Sequence, residues 1–324
     1  MSAGVSETAL GRLGRVMRDQ PVIPLVLLLG VLVAALEIMQ PGILNQRWIG
    51  NTIKFAIPLA MLAACQTITM YTGGIDLSAA AVATIAGFVV ATQQPILGSG
   101  AAIVLALVPA VLIGVLNGVG VALFRVHPLI MTLGSGIIGL GFLQVYQRSV
   151  IATGSVVPPF LEWLGTGRTL GLPNSLVLFV PFAAIIILGQ SRSGFGRLLY
   201  AIGANETAAR LSGVRSWMVF VVLYVLSGLI AGITGLLYVG LIKAPSLSLV
   251  DPLLLPSVAA AVIGGTSIFG GRGSYAGTIV GALILTVLGT MLTLLQIPEG
   301  GRRILFGAMI LAVTALYVRL TDQG

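Results

Sequence analysis

Residues 100–122 read GAAIVLALVPAVLIGVLNGVGVA, an apolar run without a single charged side chain. At 1.5 Å rise per residue such a run exceeds the ~20 residues that carry a helix across a hydrocarbon core of roughly 30 Å. It therefore predicts a membrane-crossing helix. Working outward, comparable runs lie at 22–39, 52–71, 77–92, 128–147, 174–190, 216–240, 254–268, 275–295 and 303–319. The expected fold class is an all-α integral membrane protein of about ten transmembrane helices. The runs at 77–92 and 254–268 are short for a bilayer and leave room for a re-entrant or broken helix.

Composition supports the same class. Of 324 residues, 57% are hydrophobic and 8% charged, with mean hydropathy +1.08, whereas soluble domains carry about a quarter charged residues. The 43 glycines suit helices that approach closely, because lipid supplies no hydrophobic drive between helices. An outer-membrane barrel would need short segments of alternating polarity, and the continuous runs do not alternate. The net charge of +8 resides in short loops beside apolar runs, which points to membrane orientation rather than nucleic-acid binding. Cys65 stands alone, so no internal disulfide forms, and it reads as a small buried hydrophobe. No linker divides the chain: a polar segment at 1–20 precedes one membrane domain over 21–320.

Loop charges orient this domain. Arg12, Arg15 and Arg18 precede the first run without a cleavage signal and read as a retained cytoplasmic segment. With ten crossings, Arg125, Arg192, Arg197, Arg210, Arg215, Arg272 and Arg319 share that side, and both termini are cytoplasmic by the positive-inside rule. The opposite side holds Arg47, Lys54, Arg148, Arg168, Lys243, Arg302 and Arg303. The last two fit poorly and leave the boundary of the final helix open. The segment 149–173 is too rich in Gly and Pro for a membrane helix and is expected to be a structured surface loop with a short helix near Phe160 to Leu164.

The inventory of reactive groups is short. The only lysines, Lys54 and Lys243, follow no glycine-rich turn, so a phosphate-binding P-loop is absent. One histidine, one cysteine and nine carboxylates offer neither a catalytic residue set nor a metal site, and no cofactor is expected in this chain. No carboxylate sits mid-helix, with Glu37 near the end of the first run and Asp76 at a Gly-Gly break. An ion-coupled secondary transporter of a small polar solute, the alternative reading, would need such a group.

Three glycine-rich breaks interrupt the runs. Tyr71 to Ser78, YTGGIDLS, places Asp76 where it caps a new helix or attends solute passage. In LNGVGV at 116–121, Asn117 serves either as glue between helices or as a substrate contact. Gly264 to Gly273, GGTSIFGGRG, reads as a tight turn or a partner contact. A pathway for a hydrophilic solute would draw on hydroxyls and amides in the runs, with Gln66, Asp76, Asn117, Thr132 and Ser135 as the leading candidates and Ser227, Thr286 and Thr290 in the wider set.

The chain's one long basic, helix-forming polar segment is 191–216, SRSGFGRLLYAIGANETAARLSGVRS. Ala201 to Leu211 reads as a helix punctuated by Gly203 and Gly213, and the arginines suit either an acidic partner or lipid head groups. Four stretches, TGGIDLS at 72–78, GVLNGVGVALFRVHPLIMTLGS at 114–135, GFGRLLYAIGANETAARLSGV at 194–214 and AAAVIGGTSIFGGRGSYAGTIVGA at 259–282, together resemble the membrane permeases of bacterial ABC importers for ribose, xylose, arabinose, galactose and related solutes.

That resemblance implies a multi-pass permease of the bacterial inner (plasma) membrane. It would pair with a second permease copy or a homologous permease, and receive a sugar or sugar-like solute from a periplasmic solute-binding protein. A cytoplasmic ABC ATPase, which uses ATP and Mg, would dock on the loop at 191–215 through Gly196, Arg197, Gly203, Asn205, Glu206, Ala209, Arg210 and Gly213. The chain departs from the family at Leu254 and Pro256, where a Glu and an Asp are usual, and at Gly289 and Thr290, where an Asn-Gly pair is usual. The implied pathway is less polar, which leaves a polyol or deoxy sugar open as cargo, and a heterodimer open as assembly.

Overall fold

In a computed structural model of the chain, residues 22–150, 154–308 and 311 are described. The basic segment at 1–20, and the far half of the last expected run with Arg319, lie outside them. The elements in order are α1 (Val22–Met39), α2 (Gln46–Met70), α3 (Ala79–Ala122), α4 (Pro128–Val150), α5 (Pro159–Thr166), β1 (Arg168–Thr169), β2 (Leu172–Pro173), α6 (Ser175–Arg192), α7 (Gly194–Ala204), α8 (Glu206–Leu211), α9 (Ser216–Ile242), α10 (Leu254–Ile263) and α11 (Tyr275–Leu294). A final helix, α12, spans 299–308.

Among the described residues, seven helices are long and apolar enough to cross a membrane: α1, α2, α3, α4, α6, α9 and α11. The longest, α3, has 44 residues, about twice what a bilayer needs. It breaks at Gly98, whose φ of 76° and ψ of 168° are not helical and suit a residue without a Cβ. A Cβ placed on Gly232 of α9 would meet both Ala86 and Ala110. In one straight helix those two alanines would be ~36 Å apart, so the chain folds back at Gly98 and both halves of α3 flank α9. The run expected at 77–92 is therefore longer than its sequence suggested, extending to the break.

Helix α9 is the axis of the bundle, packed most extensively on α3 and also on α2 and α5. Its contacts with α3 are backbone-close. A Cβ on Gly114 would stand 2.6 Å from the Tyr224 carbonyl oxygen, and van der Waals packing between small residues takes the place of hydrophobic drive in lipid. Leu223, Tyr224 and Val239 are buried in this seam, while Leu237 packs on the other side against Ile57 and Met61 of α2 and Leu164 of α5. By contrast, Val31, Leu112, Phe142, Val177 and Ile185 stand exposed on outer faces, as expected of surfaces that face acyl chains.

Between α4 and α6 the expected short helix is α5, but two features were not anticipated. Leu170 and Gly171 take positive φ and turn β1 back antiparallel on β2, with Thr169 paired to Leu172. Lys243 then reaches from the end of α9 to Glu162 of α5 at 3.3 Å. The run expected at 254–268 is shorter than read. A 3₁₀ turn at Asp251–Leu253 leads into α10, which stops at Ile263 as Gly265 takes φ +88°, the left-handed conformation that commonly ends a helix, while Gly264 lies against the backbone of Gly277 and Thr278 with no room for a side chain.

Candidate functional site

The basic segment folds as two short helices meeting at a corner. The Ser193 hydroxyl accepts from Gly196 N at 2.9 Å and caps α7, while Asn205 Oδ1 accepts from Ala208 N at 2.9 Å and caps α8. Gly213 closes α8 with φ +87°, the left-handed conformation that commonly ends a helix. Ala209 is buried beneath the segment. A side chain on Gly196 would collide with the Gly189 and Gln190 carbonyls, and one on Gly203 with the Tyr71 carbonyl.

These residues shape the segment, and others face outward. Arg197 and Arg210 are exposed, and among the described residues neither pairs with a carboxylate. Leu211 beside them is 86% exposed. Glu206 does something different: its Oε1 lies 2.6 Å from Arg125 Nη1, tying α8 to the turn between α3 and α4. The segment thus presents a basic surface with an apolar tip, and its acidic residue serves an internal bond.

A compact junction joins α7 to the bundle. Tyr200 Oη donates to the Gly273 carbonyl at 2.8 Å, and Gln190 Nε2 reaches the same oxygen at 3.4 Å. Gln190 Oε1 accepts from Tyr71 Oη at 2.6 Å and from Tyr275 N at 3.0 Å. The Tyr71 and Tyr200 rings lie 4.7 Å apart, and Gly271 N donates to the Tyr71 carbonyl at 3.0 Å. Burial pushes the Tyr200 phenol up from its ordinary value, which keeps it a donor. The C-terminal end of α2, helix α7 and the N-terminal end of α11 therefore meet in one knot. Two of the glycine-rich breaks, at 71–78 and 264–273, touch there.

The break at 71–78 leads directly into a buried polar network. Asp76 Oδ1 accepts from Ser78 N at 3.0 Å and from Ser78 Oγ at 2.5 Å, and Oδ2 accepts from Ser227 Oγ at 2.5 Å. Gln66 holds the Asp76 backbone from both sides, donating to its carbonyl at 2.9 Å and accepting from its N–H at 3.2 Å. Asn117 Nδ2 donates to Ser78 Oγ at 2.9 Å, and Asn117 Oδ1 accepts from Ser135 Oγ at 2.6 Å. Thr132 Oγ1 accepts from Leu77 N at 3.0 Å.

All five residues singled out for a solute pathway, Gln66, Asp76, Asn117, Thr132 and Ser135, thus converge. They are at most 3% exposed, and they bond one another and the backbone. The arrangement knits α2, α3, α4 and α9 around a non-helical segment whose polar groups need partners at membrane depth. The sequence reading left out Ser78 as a partner, and Tyr71, Gln190 and Tyr200 of the junction. Gln190 carried a signal, being the one amide inside the α6 run. The tyrosines had none, since their partners are carbonyl and amide groups more than seventy residues away in the chain.

Residues 48–314 match a protein family described as "Branched-chain amino acid transport system / permease component". Among curated proteins, the galactofuranose transporter permease protein YtfT of Escherichia coli K12 is 34% identical over 89% of this chain and 85% of its own length. The ribose import permease protein RbsC of the same strain is 34% identical over 87% of this chain and 88% of its own. The probable ABC transporter permease protein YphD, also of that strain, is 30% identical over 93% and 91%. No solved structure matches the chain.

Proposed function

Since the chain belongs to the family of branched-chain amino acid transport system permease components, we propose how it works within an importer. The chain is the membrane-spanning permease subunit of an ATP-driven ABC importer and a multi-pass protein of the bacterial inner membrane. Its relatives are transport permeases rather than enzymes. The cargo is a sugar or sugar-like polar solute, in keeping with the names of those relatives, and a periplasmic solute-binding protein delivers it. A separate cytoplasmic ATPase binds and hydrolyses Mg-ATP.

Ten crossings fit this reading: the seven long helices with α3 counted twice across Gly98, α10 as a short eighth-run helix, and α12 as the start of the last. Both termini then face the cytoplasm, as does the 191–215 segment. Two such chains, identical or homologous, flank the solute path.

One observation carries the mechanism. The segment whose exposed Arg197 and Arg210 face outward is bonded through Tyr200, Gln190 and Tyr71 to the ends of α2 and α11. A push on α7 from a docked ATPase reaches both helices, and through the 71–78 break it reaches the Asp76 network. That network has a discrete set of bonds that helix tilting would break or exchange, which is the kind of two-state element that alternating access requires. Proteoliposomes test the energy source. Uptake should require the partner ATPase and ATP inside the vesicle, and full-rate uptake by the chain alone down an ion gradient would overturn the reading.

A further inference from the structure

A pocket of about 580 Å³ opens between the start of α2, the end of α9 and the C-terminal half of α11, closed at its rim by α12. It lies at the end of α2 opposite Tyr71, a helix of 25 residues away, or roughly 35 Å. On the permease reading this is the side where solute arrives. Trp48, Phe55 and Tyr238 give it aromatic walls, and Asn51, Thr290 and Arg302 give it polar ones. Pro256, Gly289 and Thr290 line it as well.

The polar groups are unevenly committed. Thr286, Thr290 and Thr293 have spent their hydroxyl protons on helix carbonyls one turn back. Asn51 Oδ1 is occupied by Arg168 Nη2 at 2.7 Å, and among the described residues its side-chain N–H groups have no acceptor. Glu299, the carboxylate at the rim, is engaged by Arg303 at 3.4 Å. Arg302 is half-buried. Its Nε donates to the Ile297 carbonyl at 3.2 Å, and among the described residues no carboxylate faces its guanidinium. A partly buried cation without a counter-ion favours an anion beside it, and guanidinium offers a carboxylate two parallel bonds.

We infer that this pocket admits an anionic polyhydroxylated solute, a sugar acid, with Arg302 holding its carboxylate, Asn51 donating to a ring or hydroxyl oxygen, and the threonines accepting from hydroxyls. The aromatic walls take the apolar face of the ring. This inference rests on the permease reading and narrows its cargo from sugars in general to their carboxylated forms.

Saturation-transfer difference NMR on the full chain in nanodiscs of neutral lipid tests it with sodium D-galacturonate and D-galactose, which differ chiefly in the carboxylate. The uronate should half-saturate at a concentration at least tenfold below the neutral sugar. Arg302→Gln should abolish that preference, and Arg302→Lys should keep most of it. Equal half-saturation, a preference unmoved by Arg302→Gln, or no saturable signal from either sugar would overturn the inference. Loss of the uronate signal when anionic lipid is included would also overturn it, since a phospholipid head group would then be the occupant. Stimulation of the partner ATPase, measured on the same preparations, separates the two readings. If it is retained while the uronate fails, only the sugar-acid pocket falls; if it is absent, the permease reading falls too.

Discussion

Asn117 shows how a single amide can be required in an apolar helix. It bridges Ser78 and Ser135, and its loss removes both bonds while Ser78 Oγ keeps Asp76 and Ser135 Oγ keeps the Thr132 carbonyl. Individual bonds between membrane helices average only ~0.6 kcal/mol, whereas stranding buried groups costs about 1–3 kcal/mol. Asn117→Ala should therefore lower the thermal midpoint in detergent by the equivalent of about two such bonds, and Ser135→Ala, which strands the buried Asn117 Oδ1, should cost at least as much. Equal midpoints for wild type and Asn117→Ala would mean that the network does not stabilise the bundle. Arg125 and Glu206 provide a second test at this scale. Because their bond is internal, Glu206→Arg alone should weaken coupling, and the exchange Arg125→Glu with Glu206→Arg should restore much of it. Should the exchange do no better than the single variant, Glu206 acts on a partner rather than on Arg125. The pair is substantially exposed, so its effect on stability stays within about 1 kcal/mol.

At the scale of elements, the junction between α7, the end of α2 and the start of α11 has its own signature. Tyr200→Phe removes the bond to Gly273 while keeping the ring against Tyr71. Solute-stimulated ATP hydrolysis should fall several-fold, with the unfolding midpoint shifted by no more than one ordinary hydrogen bond, about 1 kcal/mol. Wild-type stimulation in that variant would remove the junction from the transmission path. Gly203→Val should be far worse, since a side chain there meets the Tyr71 backbone. The long runs were legible because twenty apolar residues have few other uses, and the basic segment was legible because its charges break that pattern. The fold-back at Gly98 was visible only as two separate runs; the sequence carried no sign that helix would persist so close to the turn. The Gly264–Gly265 pair marks the end of α10 at Ile263, yet the expected run extends across it to 268 because Ile268 follows; that the same glycines let the helix end abut α11 was not legible. Likewise the five polar candidates could be listed from sequence, but their mutual bonding could not, since it depends on which helices are neighbours.

For the whole molecule, the account divides labour between two ends of the bundle. One end holds a pocket lined by aromatic and polar groups, and the other presents exposed arginines on short, well-capped helices. The buried network lies on the route between them, attached to the second end by the 71–78 break. On the importer reading proposed above, a separate ATPase supplies the drive, and the 191–215 segment is the place we propose for that contact. The most direct test is the double variant Arg197→Glu with Arg210→Glu, reconstituted with its ATPase and binding protein. Membrane insertion should be unchanged, while co-purification of the ATPase and ATP-dependent uptake each fall at least tenfold. Wild-type uptake and wild-type ATPase binding in that variant would contradict the account.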